Sequence, residues 1–376
     1  MIYLDNSATT QIDEAVLEAM LPWLRGGFGN ASSIYKLGRQ ARVAVEDARM
    51  EIASFLEAHP AEITFTSGGT ESNNSILKSC VGVSALADAV HVGATEHHAV
   101  LHPADVLGRL ATSHRLLPVD AFGRVRLDAL DTSNTPRTLV SLMHANNETG
   151  VVNDLSAIRA AIPDALLHSD AIQSFGKIPL TVGALGVDFL SLSAHKIHGP
   201  KGVGAMFIRK GIDFKAHQQG GGQERNRRAG TEPVALIVGF AVAARMAIRE
   251  VEQRAAHMSS LIAEARRLVT ELVPNIRINT PDSGSLPNIL NVSFRDADQL
   301  DGESILQSMD MGGVAVSNGS ACVSGSLQPS HVLLAMGLPS DEAKAAVRLS
   351  VSKNNTIDDV KNAVTLLSDI IRGLRV

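Results

Sequence analysis

Between Ile63 and Ile208 the chain alternates short apolar runs with segments of helical periodicity. Apolar runs of this length, bounded by turn residues, are typical of buried strands. The predicted strands are Glu62–Thr66, Ala89–Gly93, Thr138–His144, Ala165–His168, Val187–Leu192 and Gly204–Ile208. Strands that alternate with helices are typical of a mostly parallel sheet with helices on its faces, so we predict an α/β fold.

The chain of 376 residues is long enough for two lobes rather than one. A helical pattern, continuous or broken, runs from about Pro233 toward Leu272, and beyond it the pattern changes to isolated strands such as Ile289–Phe294. We therefore expect a large domain over residues 14–252 and a smaller α+β domain built from residues 1–13 and 253–376.

Composition and charge argue against several classes of protein. The formal net charge of -5 offers no basic surface for nucleic acid. The longest apolar run, Val234–Ala244, is shorter than the roughly 20 residues that a membrane-spanning helix needs. Residues 1–6 show no basic segment followed by an apolar one, so we expect no secretory signal and a cytoplasmic location.

Lys196 lies in a loop rich in glycine and proline between the last two predicted strands. Burial disfavours the ammonium form, so a lysine at a strand end becomes a nucleophile that forms a Schiff base with an aldehyde at neutral pH. Taken alone, Lys196 is more simply interpreted as a solvated surface lysine. The segments that follow decide between these two interpretations.

A phosphate site is indicated where the predicted strand Glu62–Thr66 passes through Gly68 and Gly69 into a helix. The first turn of a helix presents free N–H groups, and glycine lets an anion approach the backbone closely. Thr70 adds a hydroxyl. The alternative is a tight connection without a ligand, and no nucleotide-type GxxxxGK[ST] loop is present.

Asp170 and Gln173 follow another predicted strand. A carboxylate in this position can keep the pyridine nitrogen of pyridoxal 5′-phosphate (PLP) protonated, which makes the ring an electron sink. Gln173, one helical turn later, can reach the phenolic oxygen of the ring. The alternative role for Asp170 is a helix cap, and both roles can coexist.

His97 and His98 follow the strand Ala89–Gly93. Zinc is the competing interpretation of adjacent histidines, but no HExxH, no CxxC and no third ligand at a familiar spacing is present. An imidazole stacked over the cofactor ring can exchange protons near pH 7, and we assign this role to His97.

Arg348 stands inside an apolar, strand-like stretch, where an unpaired guanidinium is costly. The α-carboxylate of an amino acid substrate would satisfy it, and a protein carboxylate would do so equally well. Asn147, which follows a predicted strand, is a second candidate contact for the substrate.

The two cysteines, Cys80 and Cys322, do not support a disulfide framework. Cys80 ends an apolar helical stretch and is interpreted as a small buried hydrophobe. Cys322 lies in a polar loop that contains glycine, where we expect an exposed thiol.

Together these segments resemble the cysteine desulfurases, PLP enzymes of fold type I in the class V aminotransferase group. Each motif alone is weak, but their common order along nearly the whole chain is specific. The matching segments are Tyr3–Thr10, Thr66–Asn74, Thr95–His98, Ala145–Gly150, Asp170 with Gln173, Ser193–Lys196, Gly220–Glu224, Ala229–Thr231, Gly319–Cys322 and Ser330–Leu333.

The resemblance implies roles for the candidate residues. Lys196 would carry PLP and remove the α-proton of bound L-cysteine, Asp170 would support the ring, and His97 would exchange protons with the sulfur and the ring. Asn147 and Arg348 would bind substrate. The implied cofactor contacts are Gly69, Thr70, His97, Asn147, Asp170, Gln173, Ser193, His195, Lys196 and, from a second subunit, Thr231.

The resemblance also implies a sulfur carrier and partners. Cys322 would attack the substrate sulfur as a thiolate, leaving L-alanine and a persulfide on the enzyme. The expected partners are a second copy of the chain, which shares the active site, and a sulfur acceptor such as an iron–sulfur scaffold. The loop of Cys322 resembles that of the enzymes that supply iron–sulfur cluster assembly.

Three alternatives stay open at this point. The nearest is a selenocysteine lyase or another PLP-dependent β-elimination lyase in which Cys322 is incidental. A dimeric scaffold without catalysis is disfavoured because Lys196, Asp170 and His97 are all present. A serine hydrolase is disfavoured because the sequence has no GxSxG elbow.

Overall fold

A computed structural model describes residues 1–109, 113–131, 137–319 and 328–374. The strands are β1 (Ile2–Tyr3), β2 (Ile63–Thr66), β3 (Ala89–Gly93), β4 (Ser113–Leu117), β5 (Thr138–Ser141), β6 (Leu166–Asp170), β7 (Phe189–Ser193), β8 (Gly204–Ile208), β9 (Ile276–Ile278), β10 (Ile289–Phe294), β11 (Val314–Ala315) and β12 (Val347–Ser350). The α-helices are α1 (Glu14–Arg25), α2 (Lys36–Phe55), α3 (Gly69–Lys78), α4 (His98–Arg109), α5 (Leu155–Ala161), α6 (Val182–Leu185), α7 (Val234–Arg249), α8 (Val251–Leu272), α9 (Gly302–Met311), α10 (His331–Ala335), α11 (Ser340–Lys344) and α12 (Ile357–Leu374).

The main sheet has seven strands in the order β2-β8-β7-β6-β5-β3-β4. The strands from β7 to β4 are parallel, whereas β8 runs antiparallel to both of its neighbours, β2 and β7. Ser193 pairs with Gly204 across the β7–β8 hairpin. The α/β fold with a mostly parallel sheet is confirmed. Strand β4 was not predicted, because an edge strand that contains serine, histidine and arginine lacks the apolar signal.

Helices cover both faces of this sheet. Successive residues of a strand point to opposite faces, and Leu190 and Phe207 pack in one cluster with α1, α2 and α7. Their neighbours Phe189 and Met206 pack in a second cluster with α3 and α4. The strands are therefore buried on both faces, which explains why they are continuous apolar runs in the sequence.

The rest of the chain forms smaller sheets. Strands β12, β10 and β9 form an antiparallel sheet, and β1 pairs with β11 in parallel. The antiparallel sheet packs with α8, α9 and α12 in a hydrophobic cluster of its own. The helical pattern after Pro233 is broken, since Glu250 separates α7 from α8. The domain division at residues 14–252 stays a prediction.

The search for membrane spans found no helix of sufficient length and apolar character within the described ranges. The cytoplasmic location stays a prediction.

Candidate active site

A cavity of about 380 Å³ opens beside the carboxyl ends of β6 and β7. Open α/β sheets bind ligands at this edge. Of the residues selected from the sequence, the cavity is lined by Gly69, Thr70, His97, Asn147, Asp170, Gln173, Ser193, His195, Lys196 and Arg348. Two selected residues do not line it: Thr231 is exposed before α7, and Cys322 lies outside the described residues.

Lys196 ends the short turn that follows β7. Its Nζ donates hydrogen bonds to the carbonyl oxygens of Ser7 and Ala8, each at 2.6 Å. Burial lowers the pKa of this amine to about 8, and the charge of Arg348 adds to the effect. About a tenth of the amine is therefore unprotonated at pH 7, far more than for a solvated lysine, and only this form acts as a nucleophile or a base. The contribution of residues 7 and 8 was missed, since backbone acceptors leave no signal in a sequence.

Asp170 is the last residue of β6 and is buried. Its Oδ2 accepts a hydrogen bond from Nδ2 of Asn73 at 2.7 Å, and its Oδ1 accepts one from the N–H of Ile172 at 3.0 Å. Burial raises the pKa of this carboxyl. A cation placed against it lowers that pKa again, so the site favours a protonated ring nitrogen. Asn73 was not selected from the sequence, although it belongs to the glycine-turn motif.

His97 immediately precedes α4, and its Nδ1 accepts a hydrogen bond from the N–H of Ala99 at 3.0 Å. A ring nitrogen that accepts has no proton, so the proton of the neutral imidazole is on Nε2. Burial lowers the pKa of His97, which keeps the ring neutral near pH 7. The N–H of Ala99 at the start of α4 therefore fixes the Nε2–H tautomer of His97, so that Nε2 is the nitrogen that can donate to a ligand.

The first turn of α3 and the end of β7 fit a phosphate group. Gly69 begins α3, and its first N–H groups have no carbonyl within the helix to donate to. A Cβ on Gly69 would lie 1.9 Å from Cδ1 of Ile172, so a larger residue here would have to displace the Ile172 side chain. Ser193 Oγ is buried and lacks a hydrogen-bond partner among the described residues. An anion at this point would satisfy both the helix end and the hydroxyl.

Arg348 lies on β12 at the opposite side of the cavity and is buried. Its Nη2 pairs with Oδ1 of Asp5 at 2.6 Å, and its Nη1 donates to the carbonyl oxygen of Asn147 at 2.8 Å. Its Nε has no partner in the described part of the chain. The protein carboxylate considered for Arg348 is thus Asp5. These two bonds use two of the five guanidinium N–H groups, which leaves donors for a ligand carboxylate.

Glu148 and Glu96, which are both buried, bind residues that follow the undescribed range 320–327. Ser330 Oγ donates to the carboxylate of Glu148, and it also accepts the N–H of Leu333 at 3.1 Å. The ring of His331 is hydrogen-bonded to the carbonyl oxygen of Glu96 at 2.9 Å. Ser330 and His331 are therefore held by residues that follow β5 and β3.

Comparison with known proteins gives consistent findings. Residues 2–363 match the family Aminotransferase class-V. A protein of Dictyoglomus turgidum named cysteine desulfurase IscS is 43% identical over 378 residues, which cover 100% of this chain and 95% of the relative. A solved structure titled NifS-like protein is 36% identical, with a TM-score of 0.90 and 99% of both chains covered. A structure titled SspA in complex with cysteine is 32% identical, with a TM-score of 0.82, and covers 95% of this chain and 100% of the other.

Proposed function

The chain belongs to the class-V aminotransferases and, within them, to the cysteine desulfurases, and from this premise we propose how its residues carry the reaction. The substrate is L-cysteine and the product is L-alanine, with the sulfur transferred to a cysteine of the enzyme. One observation supports this assignment above the others. The lowered-pKa amine of Lys196 and the buried carboxylate of Asp170 line one cavity together with a free anion-binding turn.

The cavity fits PLP, which when bound supplies an electron sink for the bonds of the substrate α-carbon. Gly69, Thr70, Ser193 and His195 would hold the phosphate, because the free N–H groups and the unpartnered hydroxyl lie at that end. Asp170 would hold the ring nitrogen and Gln173 the phenolic oxygen. Lys196 would bind the aldehyde carbon.

The chain's own residues then divide the work on the substrate. Arg348 and Asn147 hold the α-carboxylate, with the guanidinium N–H groups that engage neither Asp5 nor the carbonyl of Asn147 as the donors. Lys196 takes the proton from the α-carbon, for which an amine of pKa about 8 is well matched. His97 moves a proton at Nε2, the ring nitrogen that its helix-capping bond leaves protonated.

Cys322 is the sulfur carrier in this proposal. Its thiolate attacks the substrate sulfur, so that a sulfur–sulfur bond forms and the carbon–sulfur bond breaks. The electron pair of the broken bond stays with the carbon skeleton, which takes up a proton and leaves as L-alanine. No external oxidant or reductant is needed to form the persulfide.

The proposal includes two partners and one location. A second copy of the chain would supply Thr231 to the phosphate, which agrees with the exposure of Thr231 away from its own cavity. An acceptor protein, such as an iron–sulfur scaffold, would take the sulfur from Cys322. The reaction would take place in the cytoplasm.

Two experiments test the proposal. Borohydride reduction followed by peptide mapping should find a pyridoxyl group on Lys196, and a protein without this adduct would refute the scheme. The variant C322A should lose sulfide release from L-cysteine, with C80A as the matched control, because Cys80 is buried and burial raises the pKa of its thiol. Unchanged turnover of C322A would instead favour a β-elimination lyase, and C322A assayed with L-selenocysteine distinguishes the selenocysteine alternative.

A further inference from the structure

A second lysine is buried behind the cavity and takes no part in the proposed reaction. Lys177 is 6% exposed and does not line the cavity that holds Lys196 and Asp170. Its Nζ donates to Oε1 of Gln173 at 2.8 Å. It has no carboxylate partner among the residues that the structure describes. A buried cation without a counter-ion is unfavourable for folding, so its placement calls for a functional reason.

The contacts of Gln173 supply that reason. Its Nε2 donates to the carbonyl oxygen of Ser7 at 2.9 Å, while its Oε1 accepts from Lys177. A carbonyl can only accept and an ammonium can only donate, so both partners require the same orientation of the amide. The amide nitrogen carries a second hydrogen, and Gln173 lines the cavity. That hydrogen is available to an acceptor oxygen of a bound molecule.

We propose that Lys177 is a positioning residue that holds the Gln173 amide with its NH₂ group toward the phenolic oxygen of bound PLP. The inference rests on the proposed function, since that oxygen belongs to the cofactor. Without Lys177 only the carbonyl of Ser7 holds the amide in this orientation, and an amide that turned over would place its oxygen against the oxygen of the ring. Burial, together with the charges of Lys196 and Arg348, lowers the pKa of Lys177 to about 7. When Lys177 is protonated, its charge and that of Arg348 would favour an anionic ring oxygen nearby.

The test compares two ligands that differ only in the oxygen concerned, PLP and 3-deoxypyridoxal 5′-phosphate. Their dissociation constants are measured for the apo forms of the wild type, K177M, Q173A and the double variant. We expect the wild type to prefer PLP by about tenfold, as for a hydrogen bond to a charged oxygen. K177M and Q173A should each lose most of this preference, and the double variant should lose no more than Q173A alone.

Several outcomes would overturn the inference. A K177M variant that keeps the wild-type preference for PLP would do so. So would a double variant in which K177M lowers this preference, relative to Q173A, by as much as it does in the wild type. K177R should restore part of the preference, whereas K210M, at an exposed lysine, should leave it unchanged. If K177M does not fold, K177A takes its place, because alanine has no donor for Gln173. Failure of the wild type to form an adduct on Lys196 refutes the proposed function, whereas an adduct with no effect of Lys177 refutes this inference alone.

Discussion

The two walls of the cavity are built differently. The sheet wall, which carries Asp170 and Lys196, comes from the ends of adjacent strands β6 and β7. The far wall, which carries Arg348, joins β12 to Asp5 near the amino terminus and to Asn147. The sheet wall is fixed by strand pairing within one sheet, whereas the far wall depends on ion pairs and hydrogen bonds between distant segments. Under the proposed function, the chemistry would therefore reside in the sheet wall and the recognition of substrate in the far wall.

The largest effect should come from the sheet wall. D170N keeps the size of the side chain and the acceptor for the N–H of Ile172. It removes the negative charge that would face the ring nitrogen of bound PLP. We expect kcat for alanine formation to fall by about 10²–10³-fold, in the range for loss of a positioned acid–base group, with little change in KM. Steady-state kinetics with L-cysteine measures both constants.

The matched control for D170N is N73A, which leaves the carboxylate charged but removes one of its two donors. N73A should lose far less activity than D170N. Equal losses in the two variants would show that geometry, and not charge, is the contribution of Asp170.

A smaller effect is expected from the far wall. R348Q removes the N–H groups toward the substrate carboxylate, and KM for L-cysteine should rise by about tenfold or more, as expected for a lost charged hydrogen bond. D5N keeps the arginine but weakens its ion pair, so its effect on KM should be smaller than that of R348Q. If R348Q lowers kcat with KM unchanged, the assignment of recognition to the far wall is wrong.

The smallest effect concerns coupling between the walls. The Lys196 amine is a nucleophile only when unprotonated, and its folded pKa is about 8. Incorporation of PLP into the apo protein, fixed with borohydride at each pH, should therefore rise with pH through about 8 and level off above it. Because the charge of Arg348 helps to lower this pKa, R348Q should move the midpoint upward. A midpoint that stays in place would show that the two walls act independently.

The contrast between the walls also explains how far sequence could predict the site. Lys196 and Asp170 follow apolar strands, and strands that are buried on both faces give a strong signal. The pairing of Arg348 with Asp5 joins residues 343 positions apart, and no local pattern reports such a contact. Asn73 and Lys177 act through other side chains, so their roles appear only when the hydrogen bonds are known. The strand β4 was missed for a related reason, because its edge position allows polar residues.

The hairpin between β7 and β8 limits the connection that carries Lys196. Residues 194–203 must leave one strand and enter its neighbour with Ser193 opposite Gly204. An inserted or deleted residue in this loop would either shift that pairing or carry the amine away from the carbonyl groups of Ser7 and Ala8. The length of this loop is therefore constrained, and insertions and deletions in related chains should accumulate in other connections of the sheet.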